Sequence, residues 1–283
     1  MRRKEMWFKY GPTVKLMLLN LALSILTTIV GIVLYLVVYG LTHRGLSMQQ
    51  FQDSMPAIFE MAIQDLGMVW AIYIAWKHKV IRMPETFRLP ASQRHSMWVP
   101  LLAGILFFLG DTCIESLCNI RMPEEVENTF IELCHSPFGF LMVCFIGPLT
   151  EELIMREGVM GSMLRRGVGP WTAIILSSVL FGAMHFNLSQ FIFATIGGIA
   201  LGILYYKSGN IILPLIVHAL NNTFSSIMTL TVETDNLADL LGGQTIVYIL
   251  LALFWTFSAF LFVKYWKTED EGAVSKAPAN NKS

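Results

Sequence analysis

Charge is what this chain has little of. Only 14% of its 283 residues are Asp, Glu, Lys or Arg, against roughly 25% in soluble domains. The two signs balance at 20 residues each, so the formal net charge is zero, and no long-range field points to a nucleic-acid partner. Cysteine is sparse as well, at Cys113, Cys118, Cys134 and Cys144. None of these forms a C-x-x-C pair, which argues against a thiolate zinc site. Free thiols are expected, with a Cys118–Cys134 bridge as the alternative that one short loop allows. No stretch reads as a secretory leader. The first apolar run, 14–41, is too long for a leader and lacks a small-residue cleavage site, so it is expected to stay as a span.

What fills the chain is apolar side chains, 54% of residues, with a mean hydropathy of +0.57. A spanning helix needs about 20 mostly apolar residues. Runs that meet or approach this lie at 14–41, 55–76, 97–117, 137–163, 171–187, 189–206, 211–230 and 244–266. The expected fold is therefore all-α, a polytopic membrane bundle of about eight helices. The organisation expected is a scaffold over 1–136, a core over 137–230, a last helix over 231–266, and a polar, disordered tail over 267–283.

Lysine and arginine set the orientation. Arg2, Arg3, Lys4, Lys9 and Lys15 precede the first run, and Lys77, Lys79, Arg82, Arg88 and Arg94 follow the second. Arg165 and Arg166, Lys207, and then Lys264, Lys267, Lys276 and Lys282 continue the alternation. The opposite connections carry Arg44 and Arg121 and most loop acids, such as Asp53, Glu124, Glu125 and Asp239. Both termini are thus expected on the cytoplasmic side. Trp7, Trp76, Trp98, Trp171 and Trp266 fall near run ends, where an aromatic belt would sit.

Polar side chains inside such runs are costly and tend to mark function. The fourth run carries "EELIMREG", with Glu151, Glu152, Arg156 and Glu157. Glu152 and Arg156 are four residues apart and can pair on one helical face. Glu151 points about 100° away, so adjacency gives the two carboxylates different surroundings. The fifth run ends in "FGAMHF", which sets Phe181 and His185 one turn apart; the seventh contains "HALNN", with His218 and Asn222 so spaced. A base, two imidazoles and an amide suffice to activate water, directly or through a metal. The plainer reading makes each histidine an interhelical hydrogen-bond partner. Gly182, Gly197, Gly198 and Gly202 are expected to allow close helix packing. Pro148 and Pro214 are expected to loosen their helices. Glu60 and Asp65 lie in or near the second run. Asp111 and Glu115 share a face near the outer end of the third, where an interfacial role is expected.

These three motifs resemble those of the CPBP intramembrane proteases, the family of type II CAAX prenyl endopeptidases and bacteriocin-processing or immunity proteins, often labelled Abi. Its patterns are E-E-x-x-x-R, F-x-x-x-H and H-x-x-x-N, and the likeness covers roughly 137–230. The resemblance implies an endopeptidase working within the bilayer on a membrane-associated peptide, such as a prenylated CAAX-like or signal-type sequence. Glu151 would activate water. His185, His218 and Asn222 would position it and stabilise the oxyanion. Glu152, Arg156 and Phe181 would give structural support. An older reading of the family makes Glu151, His185 and His218 ligands of a catalytic zinc, although no H-E-x-x-H pair is present. Lipid and a peptide or lipidated peptide are the expected partners, and the plasma membrane of a prokaryote the expected setting. The alternatives are an ion-coupled transporter, which the lack of an internal repeat disfavours, and a non-catalytic immunity or scaffold protein.

One spacing conflicts with convergence. At 1.5 Å per residue, His185 lies roughly 20 Å from the cytoplasmic start of its run, and His218 only about 10 Å from the start of its own.

Overall fold

The computed structural model describes residues 3–42, 51, 54–88, 97–118, 120–232 and 237–268. The tail beyond 268 lies outside these, as do Asp53, Arg44 and Arg94. The described residues are helical, with no strand among them. The helices are α1 (Arg3–Thr42), α2 (Ala57–Lys77), α3 (Trp98–Cys118), α4 (Glu124–His135), α5 (Pro137–Leu164), α6 (Pro170–Ala183), α7 (Leu188–Ser208), α8 (Ile212–Thr231), the short α9 (Leu237–Leu241) and α10 (Gln244–Thr268). A chain without water around it must satisfy its backbone internally, which is why helices carry the whole fold.

Eight of these helices fall on the eight expected runs. Six of the described helices, α1, α2, α3, α5, α7 and α10, are long and apolar enough to cross a membrane. The fifth expected span is shorter than the sequence indicates. Helix α6 has 14 residues, about 21 Å, and ends at Ala183 rather than at 187. Helix α8 has 20 residues, but its polar stretch around Asn221 and Asn222 keeps it out of that set. Helix α4, amphipathic and unanticipated, follows Pro123 with three glutamates in its first turn, a helix-start pattern.

Three antiparallel pairs, α1 with α2, α3 with α10, and α6 with α7, surround α5 and α8. Burial shows which elements are central: 61% of the apolar window of α5 is inside the protein, against 17% for α1 and for α10. Those outer helices present Leu18, Ile29, Val38, Leu253 and Phe260 outward, as lipid-facing surfaces do. The glycines act as expected. A Cβ at Gly182 would run into Thr195 and the Phe191 carbonyl, and one at Gly198 would sit 3.1 Å from Ser178, so α6 and α7 touch nearly backbone to backbone.

The four cysteines are free, as expected, and the alternative Cys118–Cys134 bridge is not formed: Cys118 is exposed while Cys134 is buried. One expectation is corrected. Asp111 is not interfacial but buried, with Gly197 of α7 in front of it.

Candidate active site

Helix α5 carries the paired glutamates, and it is not a regular α-helix. Its backbone widens to π geometry over Met142–Ile146 and again over Leu153–Gly161, with an α-helical piece, Gly147–Glu152, between. Proline explains the first widening. Pro148 has no N–H, so the carbonyl five residues back, at Val143, has no partner in a π register. The Asn222 Nδ2 amide donates to that carbonyl at 3.0 Å. Wide turns of this kind recur at functional sites.

His218 stands between the two carboxylates. Its Nδ1 donates to Glu152 Oε1 at 3.0 Å, and its Nε2 lies 3.6 Å from Glu151 Oε2. The adjacent glutamates thus reach the two edges of one imidazole. Glu152 is fully buried, and its other oxygen lies 3.1 Å from Arg156 Nε. That contact is an ion pair without hydrogen-bond alignment, and the Arg156 nitrogens make no hydrogen bond among the described residues. The guanidinium instead lies over the Phe181 ring at 5.1 Å, a cation–π contact. Glu151 differs: its side chain stays 21% exposed. Its 3.6 Å separation from His218 exceeds a hydrogen bond, so both atoms can address a third group.

Phe181 links the second histidine. Its ring meets His185 edge-on at 5.2 Å and His218 at 5.6 Å. The two imidazoles therefore occupy one layer, and the depth conflict disappears. The physical reason is that α8 begins below the protein surface. Ser208, Asn210 and Ile211 of the α7–α8 turn are buried. Gly209 takes the left-handed conformation at φ 70°, the Asn210 Oδ1 accepts from Ile212 N, and Ile211 N donates to the Thr86 carbonyl. With its polar backbone so paired, the turn can sit deep.

His185 lies in the turn after α6. Its Nδ1 donates to the Phe181 carbonyl at 3.0 Å, Asn187 Nδ2 donates to the His185 carbonyl, and Phe186 is held at φ 55°. A non-glycine residue there is uncommon and tends to mark functional turns. Among the described residues the ring's Nε2 has no recorded hydrogen-bond partner.

Asn222 is not turned toward the carboxylates: its amide holds Val143, with Asn221 Nδ2 at 3.5 Å from its oxygen; the recorded contacts of the His185 ring are with Phe181. Among the described residues no three His, Cys, Asp or Glu side chains are grouped to share a metal ion. As placed, Glu151, His185 and His218 do not fit a zinc centre.

Glu157 was given no role by the sequence. It is buried and gathers Tyr205 Oη, Arg165 Nη1 at 2.8 Å and Arg82 N at 3.2 Å. Arg165 also donates to the Val80 carbonyl at 2.7 Å. The cluster fixes the connection after α2 to the C-terminal part of α5. Burial, followed by the nearby Arg165 cation, lowers the Arg82 guanidinium below its ordinary range.

Comparison with known proteins falls on this same region. Residues 134–224 match the family model for Type II CAAX prenyl endopeptidase Rce1-like proteins. The matched segment resembles that family. It holds every expected site residue, from Glu151 to Asn222. A stretch of 110 residues is 31% identical to the "Putative membrane peptidase YdiL" of Bacillus subtilis (strain 168), covering 38% of this chain and 45% of that protein. The match thus spans less than half of the relative's length. No solved structure matches the chain.

Proposed function

We propose that the protein is an intramembrane endopeptidase that hydrolyses a peptide bond of a membrane-associated peptide with water activated by Glu151. The observation that carries this reading is the clamp on His218. Glu152, tied to Arg156, fixes the Nδ1–H tautomer, which turns the basic Nε2 toward Glu151. Two acceptors 3.6 Å apart can take the two hydrogens of one water and leave its lone pair free for a carbonyl carbon.

As the water oxygen bonds to that carbon, Glu151 accepts a proton and the carbonyl π pair moves to oxygen. The donors assigned to the oxyanion are the His185 imidazole and the second Asn222 N–H. Collapse expels the amine, which takes the proton from Glu151. The partly exposed Glu151 acts as base and then acid, while the fully buried Glu152 only orients. The site lies among spanning helices, so the substrate is expected to enter from the bilayer. The positive-inside pattern supports cytoplasmic termini, and the setting proposed is the plasma membrane of a prokaryote.

The test compares peptide termini in membranes holding wild-type protein and Glu151→Gln. Cleavage should fall by about 10²–10⁴-fold, the contribution of a positioned general base, while the protein still accumulates. Unchanged termini would end the peptidase reading. A chelator should leave cleavage intact; loss with recovery on added zinc would replace direct water activation by metal chemistry.

A further inference from the structure

The end of the molecule where α2 and α5 finish carries more cations than carboxylates. Lys77, Lys79, Arg82 and Arg88 lie in or beside the connection after α2, and Arg165 and Arg166 follow α5. Glu85 and Glu157 are the carboxylates these two segments bring. Contacts hold the segments together. Arg82 N and Arg165 Nη1 meet on one oxygen, Glu157 Oε1, at 3.2 and 2.8 Å. Arg165 also donates to the Val80 carbonyl at 2.7 Å, so its guanidinium is held inside the protein. Glu157 is buried, and its second oxygen accepts from Tyr205 Oη. Arg166, partly buried, turns back along α5, where its Nη1 donates to the Ser162 carbonyl at 2.9 Å. Its Nε and Nη2 make no hydrogen bond among the described residues. Burial, then the Arg165 and Arg82 cations, lowers the Arg166 guanidinium below its ordinary range.

Indole rings give the depth of this cluster. Trp76 Nε1 donates to the Met83 carbonyl at 3.2 Å, and Met83 follows Arg82 in the chain. Trp7 lies at the same end of the bundle, because Thr13, further along α1, meets Ser162 at 3.2 Å. Trp171 opens α6 shortly after Arg166. All three indoles are exposed, and exposed indoles at the ends of spanning helices sit among lipid headgroups. Lys77 Nζ stands 5.2 Å from the Trp76 ring, a further cation at that level. From Trp76 toward the middle of the membrane, α2 turns Tyr73, Val69 and Leu66 outward, an apolar stripe along one side of the helix.

We propose that Arg82 and Arg166 form a binding site for the phosphate of an anionic diacyl phospholipid, whose chains lie along the Trp76–Leu66 stripe of α2. Guanidinium forks suit phosphate oxygens. The cations at headgroup level and the apolar stripe beneath them match the two halves of a lipid, whereas a free phosphate would use the arginines alone. The site needs nothing from the peptidase reading.

The test is made on detergent-solubilised full-length protein with phosphatidylglycerol, phosphatidylcholine or soluble glycerol phosphate, read by native mass spectrometry and thermal unfolding. Wild type should retain phosphatidylglycerol about 25-fold over phosphatidylcholine, from roughly fivefold for each arginine near the phosphate. It should melt higher with phosphatidylglycerol than with either other compound. The double variant Arg82→Gln, Arg166→Gln should lose the preference. Arg3→Gln with Lys4→Gln, an equal loss of charge at the same end, should keep it. No preference in wild type, or equal loss in both double variants, overturns the site. Equal stabilisation by glycerol phosphate overturns it too, since the stripe on α2 would then play no part. Salt tests the same site without a variant: the wild-type preference should fall as ionic strength rises, and a preference indifferent to salt would overturn a site built on arginine.

Discussion

Glu151, Glu152 and Glu157 occupy seven residues of one helix and have three different surroundings. Glu151 keeps an open side, Glu152 is enclosed with Arg156, and Glu157 ties the connection after α2 to α5. The charge of Arg156 has no way out, since its side chain is fully buried. Glu152→Gln should therefore cost about 3–5 kcal/mol, the price of a buried charge left without its partner. The measurement is thermal stability in detergent. Combining it with Arg156→Met should recover much of the stability, because both charges are then gone, while cleavage should stay lost. A double variant no more stable than Glu152→Gln would mean that Arg156 is held by something other than Glu152. The pairing of Glu152 with Arg156 was legible, because it follows from four-residue spacing within one helix. The meeting of both glutamates on His218 was not, because it joins residues 66 positions apart.

At the scale of elements, the site depends on irregular pieces. Helix α5 widens around Pro148, α6 stops after 14 residues, and α8 starts beneath the surface. Together these bring His185 and His218 to one Phe181 ring. Close packing of α6 on α7 keeps that ring in place. Gly182→Ala would push a methyl into Thr195 and the Phe191 carbonyl, and backbone there cannot step aside as a flexible side chain would. A cost of about 1–3 kcal/mol is expected from overpacking, with lower cleavage per folded molecule as His185 moves. Wild-type stability and cleavage in this variant would show that the α6–α7 contact can relax. Apolar run length located the long helices within a few residues, except that α1 begins at Arg3, eleven residues before the run read from 14. It could not show where α6 ends, because Met184 and Phe186 are as apolar as the helix before them, and the stop comes from the turn capped by Asn187.

For the whole molecule, orientation is the property to test. With both termini cytoplasmic, the end of α3 faces outward. Cys118 is exposed there, while Cys113, Cys134 and Cys144 are buried. A membrane-impermeant maleimide should label intact cells at Cys118 alone, and Cys118→Ala should abolish the signal. Labelling confined to inverted vesicles would reverse the orientation. The sequence by itself determined that the chain is an all-helical membrane bundle. A solvent without hydrogen-bonding groups forces each apolar run to close its own backbone bonds, and this is a local requirement. It also determined which residue types carry the chemistry, since glutamate and histidine at such depth are costly to keep. Only the tertiary structure decided that Asn222 turns to the Val143 carbonyl and that the two histidines share one layer. Those outcomes depend on the depth and rotation of one helix against another. Both are set by packing between distant segments, which no spacing within a single segment encodes.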